Sequence, residues 1–312
     1  MKTLISVFLI TLTCLCGCKD SNKELVTRID HIAIYYRSNI EVDSMTALFN
    51  KVLGLPQWFS PDNRDVVNFK NTSFYNTGVY LGNVFLEFIA FNAKNDTSAS
   101  KTYRPVKHAF AFTNEISNTD EVLDKRKIKR TKLVNYCFNG ANRSIDTLFT
   151  NIVLQEFRSD QLMLFFCQYH QKLFDCIAFN YRDLPKLSNP EDQHGFYKNK
   201  LNSVNGGSLT IQEVESITVT TSEFELYRER FDSLFSPVRE IEPGKWHIKN
   251  GPGLNLETSD DAFTLKKISI KVRSIQKAKE FLKSKNLGFE ETTDYLKLDL
   301  SSNLGLDMLI LK

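Results

Sequence analysis

The sequence contains little that would commit it to nucleic acid or to a familiar catalytic motif. Its formal net charge is only +3 over 312 residues, and its lysines are scattered, so the basic stripe that tracks phosphates is missing. No GxSxG elbow, P-loop, HExxH or GxGxxG after a strand is present, and this excludes the enzyme classes that depend on those motifs. We therefore expect no nucleic-acid partner, and no motif assigns a catalytic residue.

Cysteine is scarce once the first 18 residues are set aside. Six cysteines occur in the chain, and the three beyond that segment are Cys137, Cys167 and Cys176. Their spacing matches neither CxxC nor a zinc finger, so no structural zinc site is predicted. They are interpreted as buried small hydrophobic residues, with a disulfide between any pair left open.

Long apolar runs are also missing, apart from one at the N-terminus. The run from Leu4 to Cys16 is shorter than the ~20 residues that span a bilayer, and Lys2 precedes it, as in a secretory signal peptide. The following LCGC at 15–18 resembles the lipobox of bacterial lipoproteins. That resemblance implies a signal peptide at 1–17, a lipid such as palmitate on Cys18, and an exported protein anchored to the inner or outer membrane. The alternative is an ordinary cleaved signal peptide.

One unit, a strand followed by a helix and two or three strands, occurs four times in the rest of the chain. The units begin at IDHIAIYY, VKHAFAF, VESITVT and KKISIKV. In the first unit, Met45, Leu48, Phe49 and Val52 follow the i, i+3, i+4, i+7 spacing of an amphipathic helix. The second helix is predicted over Thr119–Ile128. An internal repeat of this kind predicts a fold assembled from four similar modules.

A stretch rich in Pro, Asn, Gly and Ser separates the second unit from the third. It covers 183–207 and is the best candidate for a linker. The predicted organisation is then a tether at 18–27, a first domain at 28–182, the linker, and a second domain at 208–312. Ser274 is expected to cap the helix of the fourth unit, and Gly54 to end the helix of the first.

Four βαβββ units, with the phrases DHIAI, GNVFLEF and FFCQY, resemble the vicinal oxygen chelate superfamily, and in particular its glyoxalase-like domain branch. This superfamily contains the glyoxalases and the extradiol dioxygenases. The resemblance implies an α+β fold in which the four modules form two tandem half-barrel domains. Each pair of modules would enclose one central site.

The same resemblance implies a metal site on the first and last strands of the paired modules. Laying HIAIY over HAFAF and FLEFI over FCQYH gives His31, Glu87, His108 and Gln168 as the ligands. They would hold a divalent transition metal (Fe, Mn, Ni or Zn) that chelates oxygens of a small-molecule substrate. Gln168 departs from the family, because metal-binding glyoxalases carry Glu there and Gln cannot act as a general base. His170 could replace it as a base or as a ligand, or could lie at the rim of the site.

Two functional hypotheses follow. The first is a metal-dependent isomerase, lyase or dioxygenase. The second is a non-catalytic, lipid-anchored binding protein that keeps the cleft but has lost the metal chemistry, with His31 and Glu87 as an ordinary buried hydrogen-bonded pair. The corresponding positions of the second domain are Ser216, Glu257, Lys267 and Met308. Only Glu257 is a good metal ligand among them, so the second domain is predicted to be degenerate.

Overall fold

A computed structural model of the chain describes residues 24–58, 74–91, 106–114, 116–139, 145–171 and 190–312. The fourteen strands that it describes are β1 Arg28–Tyr36, β2 Phe74–Tyr80, β3 Phe85–Phe91, β4 His108–Thr113, β5 Val134–Asn139, β6 Ile145–Arg158, β7 Leu162–Tyr169, β8 Ile211–Thr221, β9 Lys245–Trp246, β10 Gly253–Thr258, β11 Thr264–Val272, β12 Phe289–Glu291, β13 Tyr295–Leu298 and β14 Asp307–Leu311. The helices are α1 Asn39–Ala47, α2 Ile116–Lys125, α3 Pro190–Ser203, α4 Phe224–Phe235, α5 Ile275–Ser284 and α6 Ser301–Leu304. The proposed lipidation site Cys18 and the cysteine Cys176 lie outside the described residues.

The strands form two mixed sheets of seven, one in each half of the chain. Their orders are β2-β3-β1-β4-β7-β6-β5 and β12-β13-β14-β11-β8-β10-β9. In every unit the first strand pairs in parallel with a later strand of the same unit, giving the pairs β1/β3, β4/β7, β8/β10 and β11/β14. The two first strands of each half pair antiparallel at the centre. This confirms the α+β fold of four βαβββ modules, with a curled half-barrel around the central strands.

The helix boundaries follow local capping chemistry. Ser38 and Glu41 form a capping box at the start of α1, and a π-helical turn over Leu48–Val52 continues that helix. Gly54 follows with φ +69°, the left-handed conformation that ends many helices, as predicted. Ser274 caps α5 by accepting from the backbone N–H of Lys277, which confirms that prediction.

The two halves share one hydrophobic core. Residues of both sheets belong to the same buried cluster, and rings from the two halves meet directly, with Phe157 4.8 Å from Phe231 between centroids. Arg126, just after α2, donates to the carbonyls of Ser233 and Leu234 at the end of α4, both at 3.0 Å. These contacts fix the first half-barrel against the second. None of the described helices is long and apolar enough to cross a membrane.

Within the stretch predicted as a linker, residues 190–203 form the helix α3. It packs against β2 of the first half and β8 of the second. Three apolar side chains of this polar helix are buried, namely Phe196, Tyr197 and Leu201. The composition of this stretch is typical of a linker, but three well-placed apolar residues are enough to dock a helix.

Candidate functional site

The strand β1 presents two different faces, as side-chain alternation along a strand requires. Ile32 and Ile34 are buried in the main core together with Phe49 of the first helix. Ala33 lies on the opposite face in a separate buried cluster, against which Tyr35 packs. We call this second side the concave face. It is lined by small and apolar residues of the central strands of the first sheet, including Ala33, Ala109, Ala111, Met163, Phe165 and Cys167.

A β-bulge adds one polar side chain to this face. In the pairing of β1 with β4, Ile29 is opposite Phe112 and His31 is opposite Ala111, so Asp30 is an extra residue without a partner in the ladder. A bulge of this kind redirects a side chain that alternation would place on the other face. As a result Asp30 contacts its neighbour, and its Oδ2 lies 2.9 Å from Nδ1 of the His31 ring.

Five side chains form a continuous polar network on the concave face. Arg28 Nη2 lies 3.1 Å from Asp30 Oδ1, and Asp30 Oδ2 bonds to His31 Nδ1. On the other edge of the ring, His31 Nε2 is 3.6 Å from Glu87 Oε2, and Asn76 donates to Glu87 Oε1 at 2.6 Å. Sequence reasoning found His31 and Glu87 but missed the other three. The residue before His31 was the available signal, since an Asp inside an apolar strand needs a buried partner.

Aromatic rings surround the imidazole of this network. Phe165 meets the His31 ring edge-on at 5.5 Å between centroids, and Phe85 does so at 6.3 Å. The Tyr169 hydroxyl donates to Asp30 Oδ2 at 3.1 Å and lies 3.2 Å from His31 Nδ1. The polar network is therefore enclosed by apolar and aromatic surface.

Burial and charge shift the pKa values of the network in opposite directions. Burial lowers the pKa of His31, but the hydrogen bond to Asp30 and the charge of Glu87 outweigh it, so that its net pKa is raised. Burial raises the pKa of Asp30, but His31 and Arg28 more than reverse this and leave it lowered. Burial also raises the pKa of Glu87, which His31 and the Asn76 hydrogen bond offset only in part. Asp30 is thus held as a carboxylate beside an imidazole that retains its proton readily.

The structure does not bring His108 to this network. His108 is paired with Ile34, whereas Ala111 is the β4 residue opposite His31. Its side chain therefore lies on the opposite face of the sheet, where it is fully buried and its Nε2 contacts the backbone carbonyl oxygen of Leu304 at 2.7 Å. The expected convergence of His31 and His108 on one ion is wrong. When β1 and β4 pair, the β4 residues that share a face with His31 are one residue out of register with His108.

Gln168 also faces away from the network. It lies beside Phe166, which belongs to the main core, and its Oε1 accepts from the backbone N–H of Ile116 at 3.0 Å. It is therefore a cap for α2, and this explains why the helix begins three residues before the predicted Thr119. The Nε2 of His170 lies 2.9 Å from the Thr150 hydroxyl.

The described residues do not fit a metal centre with three or four protein ligands. His31 and Glu87 supply two donors facing one point, while Asp30 engages the far edge of the His31 ring. Structural and catalytic zinc sites use at least three protein ligands. Throughout the described ranges, no group of three or more His, Cys, Asp or Glu side chains could hold a metal ion.

The corresponding places of the second sheet carry a different arrangement. The Lys267 ammonium bonds both carboxylate oxygens of Glu257 at 2.8 and 2.9 Å. Met308 is buried in the main core, and Ser216 pairs with Gly253. This half therefore has a half-exposed ion pair where the first half has a buried network.

The arrangement around His31 can hold a polar atom of a ligand. Nε2 of the ring and Oε2 of Glu87 are too far apart for a good direct hydrogen bond. One oxygen placed between them could accept from the imidazole and donate to the carboxylate. Because Asp30 accepts from Nδ1–H, the ring is held in one orientation.

Comparison with known proteins supports the fold. No family model matches the chain, and no curated protein matches it either. Among solved structures, a hypothetical protein from Staphylococcus aureus matches with a TM-score of 0.54 and 10% identity, over 91% of this chain and 98% of that one.

Two structures of homoprotocatechuate 2,3-dioxygenase variants from B. fuscum match as well. One, in complex with HPCA, has a TM-score of 0.50 and 10% identity, over 94% of this chain and 72% of that one. The other has a TM-score of 0.51 and 9% identity, over 94% of this chain and 73% of that one. At this identity the likeness establishes the fold, which is that of the vicinal oxygen chelate type.

Proposed function

We propose that this chain, built on the vicinal oxygen chelate type of fold, is an exported and lipid-anchored protein whose first half-barrel binds a small molecule at the His31–Glu87 pair. The observation that carries the proposal is the buried polar network on an otherwise apolar concave face. His31, Glu87 and Asp30 are 5%, 8% and 0% exposed.

The stability of the fold does not explain this network. Withdrawing several charges from water costs a few kcal/mol per ion, and a well-packed apolar cluster is often as stable or more so. The second half shows that the fold can form without one, because Asn255 is the β10 residue at the register of Glu87, and Glu257 forms a half-exposed pair with Lys267. A buried network at one of two equivalent places is therefore more simply explained by a ligand than by folding.

The chemistry of the site indicates the kind of ligand. His31 and Glu87 offer a donor and an acceptor to one oxygen, of the kind found in an alcohol or phenol hydroxyl group. The rings of Phe85 and Phe165 lie against the His31 imidazole, so a ligand that reaches the imidazole would meet aromatic surface. We expect a small molecule with one or two oxygens on a flat apolar skeleton.

Ligand-observed NMR on residues 19–312 tests the proposal. A panel of small phenols, aromatic acids and hydroxyketones is screened against the wild type, His31→Gln, Glu87→Gln and the control Glu257→Gln. Compounds that bind the wild type should lose at least ten-fold in affinity with the first two variants and keep it with the control. The proposal fails if no compound binds, or if the compounds bind equally well to all four proteins.

The metal-dependent hypothesis is tested on the same proteins. Calorimetric titration with Zn²⁺ or Ni²⁺ should show no stoichiometric site that depends on His31, because only two of the four expected ligands meet. A one-to-one site that disappears in His31→Gln and persists in Glu257→Gln would instead support the metal enzyme. Circular dichroism of each variant controls for loss of the fold.

Proton transfer is a second candidate function, favoured by the position of Asp30. A carboxylate that holds a histidine ring in one orientation is typical of acid–base sites, and simple binding does not require it. In such a reaction Glu87 would remove a proton from carbon while His31 donates one to the neighbouring oxygen. Exchange of the carbon-bound protons of hydroxyacetone in D₂O, followed by ¹H NMR, should then be accelerated by the wild type and not by Glu87→Gln.

Membrane attachment is proposed from the lipobox-like LCGC at 15–18. Cys18→Ala should abolish incorporation of radiolabelled palmitate in bacterial cells, and the neighbouring Cys16→Ala should retain it. Label that persists in Cys18→Ala would contradict the anchor. The chain beginning at residue 19 should remain in the soluble fraction after lysis.

A further inference from the structure

The helix α3 contributes an aromatic wall to the first half-barrel. Phe196 and Tyr197 are 7% and 2% exposed and form a buried cluster with Tyr80 and Phe85, against which Trp58 packs. Tyr197 lies 5.1 Å from Tyr80 and 6.3 Å from Phe85 between ring centroids. Two rings from the segment between the halves thus complete an aromatic cluster of the first sheet.

This cluster stands directly against the His31 network. Phe85 is the residue paired with His31 across β1 and β3, and its ring meets the imidazole edge-on. Tyr197 also lies close enough to Tyr169 for its phenol to contribute to raising the pKa of that residue, which burial raises most. Displacing Phe196 and Tyr197 would therefore remove the packing that holds the Phe85 ring over this side of the network.

Most of the apolar attachment that the structure describes for α3 lies outside the main core. Its apolar contacts come from Phe196, Tyr197 and Leu201, and only Leu201 belongs to the main core. Gly195, where an added Cβ would meet nothing within 4 Å, lies in its middle and lowers its helix propensity. Elements with few buried apolar contacts open locally far more often than the whole domain unfolds.

We infer that α3 is the movable wall of the ligand site, and that local unfolding of this helix admits a small molecule to the His31–Glu87 pair. The inference rests on the proposed function. A ligand reaches such a buried network only after a covering element moves, and α3 is the described helix whose rings pack on Phe85, the residue that meets His31. On closing, Phe196 and Tyr197 return against Phe85 and shield the bound ligand from water.

Cys167 is a native probe for this opening. Its thiol is buried on the concave face, near enough to Asp30 and Glu87 for both carboxylates to raise its pKa in addition to burial. It is a buried free thiol in the structure. The rate at which N-ethylmaleimide labels Cys167 in the native protein, followed by peptide mass spectrometry, therefore reports how often the concave face is uncovered.

Three variants of residues 19–312 test the inference. Phe196→Ala/Tyr197→Ala removes the wall and should label Cys167 at least ten-fold faster than the wild type. Phe263→Ala, which removes a ring of similar burial from the second half, should label at close to the wild-type rate. Gly195→Ala strengthens the helix without a steric conflict and should label about five-fold more slowly, the ratio that corresponds to its gain in helix propensity.

Equal rates in all four proteins would overturn the inference, and so would equal acceleration by the α3 and Phe263 variants. Gly195→Ala keeps the test decisive if the double variant fails to fold, because a wild-type rate in this stabilised helix also contradicts opening through α3. No ligand is used, so failure here leaves the binding experiment unaffected. If His31→Gln loses ligand binding while Cys167 is labelled at the same rate in all four proteins, the binding site is supported and the role of α3 as a movable wall is rejected.

Discussion

The buried His108 should make the protein less stable in acid by an amount that one substitution can isolate. Burial lowers the pKa of His108 to about 4 from an ordinary value of 6.5. The unfolded chain therefore takes up a proton before the folded one does. Stability from this residue is complete above pH 6.5 and is lost as the pH falls toward 4. A displacement of about 2.5 pH units corresponds to about 3 kcal/mol, since each unit is about 1.4 kcal/mol.

The structure explains why the proton is excluded. The His108 ring is fully buried between the halves, and the neutral ring satisfies the Leu304 carbonyl by donating from Nε2. Its Nδ1 is buried and finds no hydrogen-bond partner among the described residues. A second proton on that nitrogen would be an unpaired buried charge, which is costly.

His108→Gln tests this reasoning by urea unfolding at pH 7 and pH 4.5, followed by circular dichroism. The Gln amide can still donate to the Leu304 carbonyl but does not titrate. Between the two pH values, the free energy of unfolding of the wild type should fall by about 2–3 kcal/mol more than that of this variant. The control His247→Gln changes an exposed histidine and should behave as the wild type. If the wild type and His108→Gln lose the same free energy of unfolding between pH 7 and pH 4.5, the lowered pKa of His108 is wrong.

Two further substitutions test the packing around the site. Gly78→Ala should destabilise the fold by about 1–3 kcal/mol, because a Cβ there would lie 2.5 Å from the Phe85 ring. Thermal unfolding measures this loss, and the control is Gly195→Ala, whose added Cβ has no neighbouring atom within 4 Å. Gln168→Ala should lower the free energy of unfolding by about 0.5–2 kcal/mol, because the backbone N–H of Ile116 loses its cap, and it should leave ligand affinity unchanged. A loss of affinity without a loss of stability would instead show that Gln168 is part of the binding site.

The positions of the two histidines could have been distinguished from the sequence. In HIAIY, His31 is in step with Ala33, and the isoleucines alternate with them. In HAFAF, His108 is in step with the phenylalanines, and Ala109 is out of step. Large apolar residues mark the side that packs on helices, and alanines mark the concave face. Matching the faces rather than the histidines places His31 alone in the half-barrel, because side chains alternate between the two faces wherever strand pairing is regular, as it is from His31 to Ile34.

Other features of the site could not be read from the pattern. The bulge that brings Asp30 beside His31 is a one-residue irregularity in strand pairing, and local sequence does not specify it. The docking of α3 depends on Tyr80 and Phe85, more than 100 residues away in the chain. By contrast, the four repeated units were predictable, because each requires only the periodicity of its own strands and helix.

The contrast between the two halves argues that the first one is the working half. Both sheets are built around two antiparallel central strands, and in both a carboxylate lies on the strand that pairs in parallel with the first of these, Glu87 in one and Glu257 in the other. Glu257 meets a lysine within reach of water, where an ion pair contributes little in either direction. Glu87 is buried beside an imidazole that Asp30 orients from behind. Because the fold tolerates an exposed ion pair in the second half, it does not need a buried polar network for stability in the first. Ligand binding is the simpler reason for the network around His31.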